Sequence, residues 1–308
     1  MKQKIFVTLS TFAEYGDQPL RLLKDSGIPF QVNTLGRRFR PEDLFKLAVD
    51  ATGVVAGVEP YDQQVLEKLS TLKCISRCGV GTDNIDLSFA EERKILVRNT
   101  PDVVTQPVAE LTIAMILDLM RHLSYHTAVL KSRQWKKRAG NLLAEQNVGI
   151  LGMGRIGKRV AKMLRALGVK VMGSDRYPDL DWAKRNSVKI VTTQELFQSA
   201  DVLSVHLSPP EDGQTIMDQK AFSSMKNGAV FVNTSRGNLV DEEALFQALT
   251  DGKLAGAALD VFSQEPYKGP LCDLDNVVMT PHLATLTKES RLQMETESVQ
   301  NLLESLSG

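Results

Sequence analysis

The sequence predicts an α/β protein with parallel sheets, and three observations predict it. Short apolar runs alternate with helical patterns from the first residues onward. A succession of strand, glycine turn, helix, strand and acid occupies 147–175. Further apolar runs of strand length follow, with charged residues just beyond several of them. Strands alternating with helices imply βαβ units, whose crossovers force parallel pairing.

Taken in order, residues 4–9 read as the first strand, followed by a helix near 19–26, a strand at 30–35 and a helix from Pro41. Strand 53–58 precedes a helix over 61–70, strand 72–76 precedes a helix over 86–92, and strand 96–98 closes the series. Thr100-Pro101 then breaks the pattern and marks a hinge. Residues 104–133 carry Val108, Leu111, Ile113, Met115, Ile116, Leu119 and Leu123 on one face and read as one extended helix. Later strands fall at 188–191, 202–206, 229–233, 254–258 and 277–280, and a last helix at 288–306.

The central unit, NVGILGMGRIGKRVAKMLRALGVKVMGSD, organises the rest. Val148-Gly149-Ile150-Leu151 is a buried parallel strand. Gly152, Gly154 and Gly157 follow at the spacing G-x-G-x-x-G. Ile156, Val160, Met163, Leu164 and Leu167 recur at helical intervals, Gly168 caps that helix, and a second strand ends at Asp175. In a dinucleotide site Gly152 permits the tight turn, Gly154 lets the backbone approach a pyrophosphate, and Gly157 lets helix pack on strand. Free N–H groups and the helix dipole favour the anion there. Asp175 would accept hydrogen bonds from the adenosine ribose and repel a 2′-phosphate, so NAD is favoured over NADP, with Arg176 next door blunting the discrimination.

Composition narrows the classes of function. A chain of 308 residues is long enough for two domains. The apolar fraction of 43% and charged fraction of 24% are those of a globular protein. Lys plus Arg equals Asp plus Glu at 37 each, which argues against a nucleic-acid partner or a charged membrane surface. The apolar run in MKQKIFVTLS is too short for a signal peptide, and 111–120 contains Asp118 and cannot span a bilayer. Cys74, Cys78 and Cys272 match no metal spacing, so buried thiols in a reducing cytoplasm are expected and no metal is.

Groups able to do chemistry lie after the glycine unit. Arg236 follows one strand, Asp260 and Glu265 follow another, and His282 a third. Ligands of such sheets gather outside the carboxyl ends of the strands, so these residues can share one cleft.

The chain resembles the D-isomer-specific 2-hydroxyacid dehydrogenases, the family of phosphoglycerate, formate and phosphite dehydrogenases. The resemblance rests on SRCGVGTDNID (76–86), NTPDVVTQPVAEL (99–111), VGILGMGRIGK (148–158), MKNGAVFVNTSRGNLVDEEAL (225–245), GAALDVFSQEP (256–266) and TPHLA (280–284). It implies two Rossmann-like domains: a central NAD-binding doubly wound parallel sheet over 100–284, and a smaller flavodoxin-like substrate domain over 1–99 and 285–308. It implies a catalytic set of Arg236, Glu265 and His282, with the backbone at Val80 and Gly81 holding the substrate carboxylate. Thr105, Arg155, Ile156, Asp175, Thr234 and Asp260 fall on cofactor positions, Asp260 near the nicotinamide carboxamide. A homodimer through the cofactor domain is implied too, using the helix near 104–133 and the arm after it.

The chemistry agrees with those roles. Reducing a 2-keto acid needs a hydride on carbon and a proton on oxygen. Arg236 can grip the carboxylate with its fork and polarise the carbonyl. His282 can donate the proton, and Glu265 beside it favours the imidazolium. Other features read more plainly: His122 and His126 as helix surface or dimer contact, the basic stretch 131–138 as a solvated arm over the partner subunit, and His206 as structural. Two lobes with a cofactor between them imply closure, hinging near 99–101 and 284–286.

The substrate is less defined. SRCGVGTDNID is closest to the phosphoglycerate dehydrogenase version, where Arg77 would face an anion. Where those enzymes carry an Arg, VAGVEPYD places Glu59, which would repel a phosphate, with Arg37, Arg38 and Arg40 as substitutes. Ending at Gly308, the chain is expected to lack the serine-binding tail of some relatives. Glyoxylate, hydroxypyruvate and phosphite stay open as substrates. So does a non-catalytic, NADH-responsive role like that of the C-terminal-binding-protein corepressors.

Overall fold

The computed structural model describes residues 3–210 and 213–307. The chain divides into two compact units, one running to Val104 and resuming at Thr285, the other Thr105–Ala284.

The first unit comprises β1 (Ile5–Val7), α1 (Gln18–Asp25), β2 (Phe30–Val32), α2 (Pro41–Leu47), β3 (Gly53–Ala56), α3 (Gln63–Lys68), β4 (Cys74–Arg77), α4 (Leu87–Glu92) and β5 (Leu96–Arg98). Its strands pair in parallel in the order β2-β1-β3-β4-β5, the flavodoxin-like arrangement. The central strand β3 is buried throughout, and Phe6, Leu44, Val54, Leu66 and Ile75 build the core on one face. The chain returns to this unit as the helix Lys288–Ser307, which covers the sheet so closely that a Cβ at Gly53 would meet Leu302 and Leu306 at 2.9 Å. Arg291 and Glu295 of that helix pair at 2.8 Å, and Glu295 also accepts the Ala13 N–H at 2.8 Å, pinning the loop after β1. Cys74 and Cys78 are buried here as free thiols, and burial pushes both pKa values up, whereas Cys272 of the second unit is exposed, against the expectation of a buried thiol.

The second unit opens with α5 (Thr105–Arg121) and α6 (Leu123–Lys131). One extended helix was expected there. Instead His122 takes a left-handed conformation, φ 52° and ψ 42°, and ends α5. The Asp118 carboxylate accepts the Ser124 N–H at 2.8 Å and its hydroxyl as well, supplying the acceptor that restarts the helix. Residues 134–142 then run without regular structure, with Trp135 81% exposed.

The sheet of this unit contains β6 (Asn147–Leu151), β7 (Lys170–Ser174), β8 (Lys189–Ile190), β9 (Val202–Val205), β10 (Ala229–Asn233), β11 (Leu254–Leu259) and β12 (Val277–Met279). Between them lie α7 (Arg155–Ala166), α8 (Leu180–Arg185), α9 (Thr193–Ser199), α10 (Gln219–Ser224) and α11 (Glu242–Thr250). The order β12-β11-β10-β9-β6-β7-β8 is parallel at every pairing described. Strand order reverses between β6 and β9, and a doubly wound sheet opens its ligand crevice at that reversal. Separate apolar clusters cover the two faces, Ile116, Val148, Ile150 and Leu164 in one and Leu203, Phe222, Phe231 and Leu259 in the other. Among the described residues no helix is long and apolar enough to cross a membrane.

Candidate active site

The glycine turn follows β6 at the strand reversal. Gly152 has φ 98°, and a Cβ there would meet the His206 carbonyl oxygen at 2.6 Å. At Gly157 a Cβ would overlap the Gly152 oxygen at 2.0 Å, so helix and turn touch backbone to backbone. Gly154, the N-cap of α7, faces open space, since a Cβ built there meets nothing within 4 Å. Arg155 and Ile156 form the first turn of α7 behind it. Space for an approaching group at the N-terminus of a twelve-residue helix suits a pyrophosphate.

Asp175 lies at the end of β7, and its carboxylate accepts the Met153 N–H at 2.7 Å and the Tyr177 N–H at 2.9 Å. Each oxygen keeps a lone pair for a ribose hydroxyl. Arg176 stands over the Tyr177 ring, 5.4 Å from its centroid. Thr105 is the first residue of α5. Thr234, just past β10, shares a 2.9 Å hydrogen bond with Thr112 in that helix.

Three adjacent strands, β10, β11 and β12, carry the chemically able residues at their carboxyl ends. Asn233 closes the turn after β10 by accepting the Ser235 N–H and donating to the Arg236 carbonyl, at 3.0 and 2.8 Å. Arg236 is half-buried, and one of its nitrogens donates to the Ser235 carbonyl. Gly237 follows, and a Cβ there would overlap the Phe262 backbone at 1.8 Å, so the Arg236 turn lies directly against the loop after β11. In that loop Glu265 contacts His282 Nδ1 through both oxygens, at 2.9 and 3.1 Å. A carboxylate only accepts, so Nδ1 carries hydrogen and Nε2 is the end left for chemistry.

His282 has φ 52°, a conformation that needs outside support. Asp260 supplies it. Its fully buried carboxylate accepts the Thr280 hydroxyl at 2.6 Å and the N–H groups of Leu283 and Ala284 at 2.8 and 3.0 Å. Its carbonyl accepts the His282 N–H at 2.8 Å. The loop bearing His282 is thus wrapped around Asp260, a role that the motif GAALDVFSQEP did not disclose.

Val80 and Gly81 belong to the first unit, in the turn after β4. Glu59 lies in the turn after β3 but points inward. It is 2% exposed, and one oxygen accepts the Gly57 N–H at 2.9 Å and the Thr8 hydroxyl at 3.0 Å. It therefore braces the loops after β1 and β3 and does not face a substrate as a bare charge. Arg37 is paired with Asp43 at 2.6 Å, and that pairing lowers the Asp43 pKa to about 2.

His206 ends the loop side of β9. Its Nε2 shares a 2.9 Å hydrogen bond with Ser204, while Nδ1 is buried with no partner among the described residues. Burial pushes its pKa down to about 4. The unfolded ring titrates near 6.5, so both states are neutral above that pH. As pH falls from there toward 4, the unfolded chain takes up a proton that the fold refuses, costing on the order of 3 kcal/mol of stability. His206→Gln is expected to flatten this acid slope in urea titrations at neutral pH and near pH 5 (about its midpoint). An unaltered slope would mean that the ring titrates normally.

Comparison with known proteins bears on the same residues. The chain matches the family model for the D-isomer specific 2-hydroxyacid dehydrogenase, NAD binding domain, over residues 113–284. It is 39% identical over 255 residues to the D-3-phosphoglycerate dehydrogenase of Methanocaldococcus jannaschii, covering 81% of this chain and 49% of that protein. Identity to the hydroxypyruvate reductase of Thermotoga maritima is 36% over 260 residues, covering 82% of this chain and 84% of the relative. The solved structure of D-lactate dehydrogenase from Aquifex aeolicus, complexed with NAD and lactic acid, has a TM-score of 0.86 at 28% identity, covering 99% of this chain and 98% of that one. The chain spans about half the length of the phosphoglycerate dehydrogenases it matches.

Proposed function

The chain belongs to the D-isomer specific 2-hydroxyacid dehydrogenase family, and from that membership we propose that it interconverts a D-2-hydroxy acid and its 2-keto acid with NAD as cofactor. One observation carries the reading. His282 is seated at 2.9 Å on Glu265, whose loop lies beside the Arg236 turn. Bound nicotinamide supplies or accepts the hydride. Arg236 binds the substrate carboxylate and draws electron density from the adjacent carbonyl. In reduction His282 Nε2 gives a proton to the keto oxygen, and in oxidation it removes one from the hydroxyl. Glu265 holds the ring in the one tautomer that leaves Nε2 facing the reaction.

The accepted side chain is that of a small 2-keto acid such as glyoxylate, hydroxypyruvate or 3-phosphohydroxypyruvate. Glyoxylate and hydroxypyruvate are favoured, because the turn after β3 offers no cation to a phosphate: Glu59 stands there, turned inward onto Gly57 and Thr8. Oxidation of NADH by the purified protein, followed by absorbance against these three acids, tests the activity. Failure with all of them would overturn it.

Asp175 is proposed as the discriminator of NAD from NADP, supported by its place beside the glycine turn. Asp175→Ala is expected to weaken NADH binding about tenfold, equivalent to about 1.4 kcal/mol, and to narrow the preference over NADPH. Fluorescence titration with both nucleotides checks it; an unchanged ratio would remove Asp175 from that role.

A homodimer through the second unit is supported by Leu123, Leu130, Trp135 and Leu142, all more than half exposed on α6 and the arm after it. Light scattering tests it. The free thiols at Cys74, Cys78 and Cys272 fit a cytoplasmic setting.

A further inference from the structure

We propose that Asn99 and Thr100 are positioning residues for the substrate carboxylate, acting by holding the backbone of the turn after β4. The inference rests on the reading that the Val80 and Gly81 amides bind that carboxylate.

The turn is pinned carbonyl by carbonyl. The Arg77 guanidinium donates to the Cys78 oxygen. The Thr100 N–H donates to the Gly79 oxygen at 3.0 Å. The Asn99 side-chain amide donates to the Val80 oxygen at 2.8 Å. The donors before the turn are occupied too, Cys78 N–H by the Ala56 carbonyl at 2.9 Å and Gly79 N–H by the Thr100 hydroxyl at 2.9 Å. The next two N–H groups, those of Val80 and Gly81, have no acceptor among the described residues.

Two successive free amides beside carbonyls that are all tied down form a concavity for an anion. Left loose, the Val80 carbonyl could swing toward the same space and repel a carboxylate. Asn99 prevents that swing, and Thr100 grips Gly79 from both sides, where φ is 133°.

The clamp is itself secured. Thr100 is fully buried, and the Asn99 carbonyl accepts the Asn301 amide of the terminal helix at 3.2 Å. Asn99 and Thr100 follow β5, so the last parallel strand of the first unit supplies both clasps.

The test compares Thr100→Val, Thr100→Ser and Asn99→Ala with the parent protein. The keto-acid KM is expected to rise about tenfold in Thr100→Val and in Asn99→Ala, each losing one side-chain hydrogen bond, with kcat changed much less. The NADH dissociation constant should be unchanged, and Thr100→Ser, which keeps the hydroxyl, should restore the parent KM. A merely structural role would lower kcat, KM performance and NADH binding together. In parallel, the parent protein labelled with 15N-valine and 15N-glycine is titrated with oxamate in the presence of NADH. Movement of the Val80 and Gly81 amide signals, with the KM changes above, supports the clamp. Movement of those signals with an unaltered KM in both variants overturns the clamp alone. Signals that stay still while oxamate binds overturn the underlying reading, and the clamp with it.

Discussion

His282→Ala is expected to lower kcat for keto-acid reduction by about 10²- to 10⁴-fold, the range for loss of a positioned general acid. Glu265 does not replace it, since it accepts from Nδ1 and is aimed at the ring. The groups proposed to hold the cofactor, around Gly152 and Asp175, follow other strands, so the dissociation constant for NADH should hold. The loop itself should survive, because Asp260 grips it through Thr280, Leu283 and Ala284 and through the backbone of position 282. Single-turnover reduction at saturating NADH reads the effect directly. A variant reducing keto acids at the parent rate would show that the proton comes from elsewhere.

The second large effect is expected at Asp260, and it separates two roles for one carboxylate. Family resemblance puts Asp260 near the nicotinamide carboxamide, whereas its oxygens receive three donors of the 280–284 loop. Asp260→Ala leaves those donors unsatisfied in a fully buried place. At 1–3 kcal/mol for each such group, a loss on the order of 4 kcal/mol is expected. That corresponds to roughly 10 °C in the melting temperature of a unit this size. Turnover should fall as well, since His282 loses the frame holding its left-handed backbone. Asp260→Asn keeps the shape but turns a donor toward donors, so it should be intermediate. If instead both variants melted like the parent and only NAD binding weakened, Asp260 would be a cofactor contact and not a brace.

Much of the architecture was legible because it is written in local periodicity. Apolar runs of four or five residues and the glycine spacing announce the parallel strands and the turn at their reversal. The helices α8, α9, α10 and α11 went unread, although each starts on a side-chain cap, at Asp179, Thr192, Asp218 and Asp241. The break at His122 was illegible for a different reason. Neither glycine nor proline marks it, and the cause is a carboxylate four residues earlier bonding across the gap. Glu59, Asp260 and the Asn99–Thr100 pair share that limit. Each is a polar side chain committed to backbone 2 to 24 residues away, or to a hydroxyl as far as 51 residues away. Periodicity carries no record of such bonds. The pairing of Glu265 with His282 was anticipated by resemblance, whereas their shared dependence on Asp260 is visible only in three dimensions.

The burial of Cys74 and Cys78 has a practical consequence. Both sealed sulfurs lie in the first unit, while Trp135 and Trp182, the chain's 2 indoles, lie in the second. Each half of the molecule therefore comes with its own intrinsic reporter. Once the exposed Cys272 is blocked, maleimide uptake at the two hidden sulfurs follows the opening of one half, and emission from the half-buried Trp182 follows the melting of the other, without any engineered label.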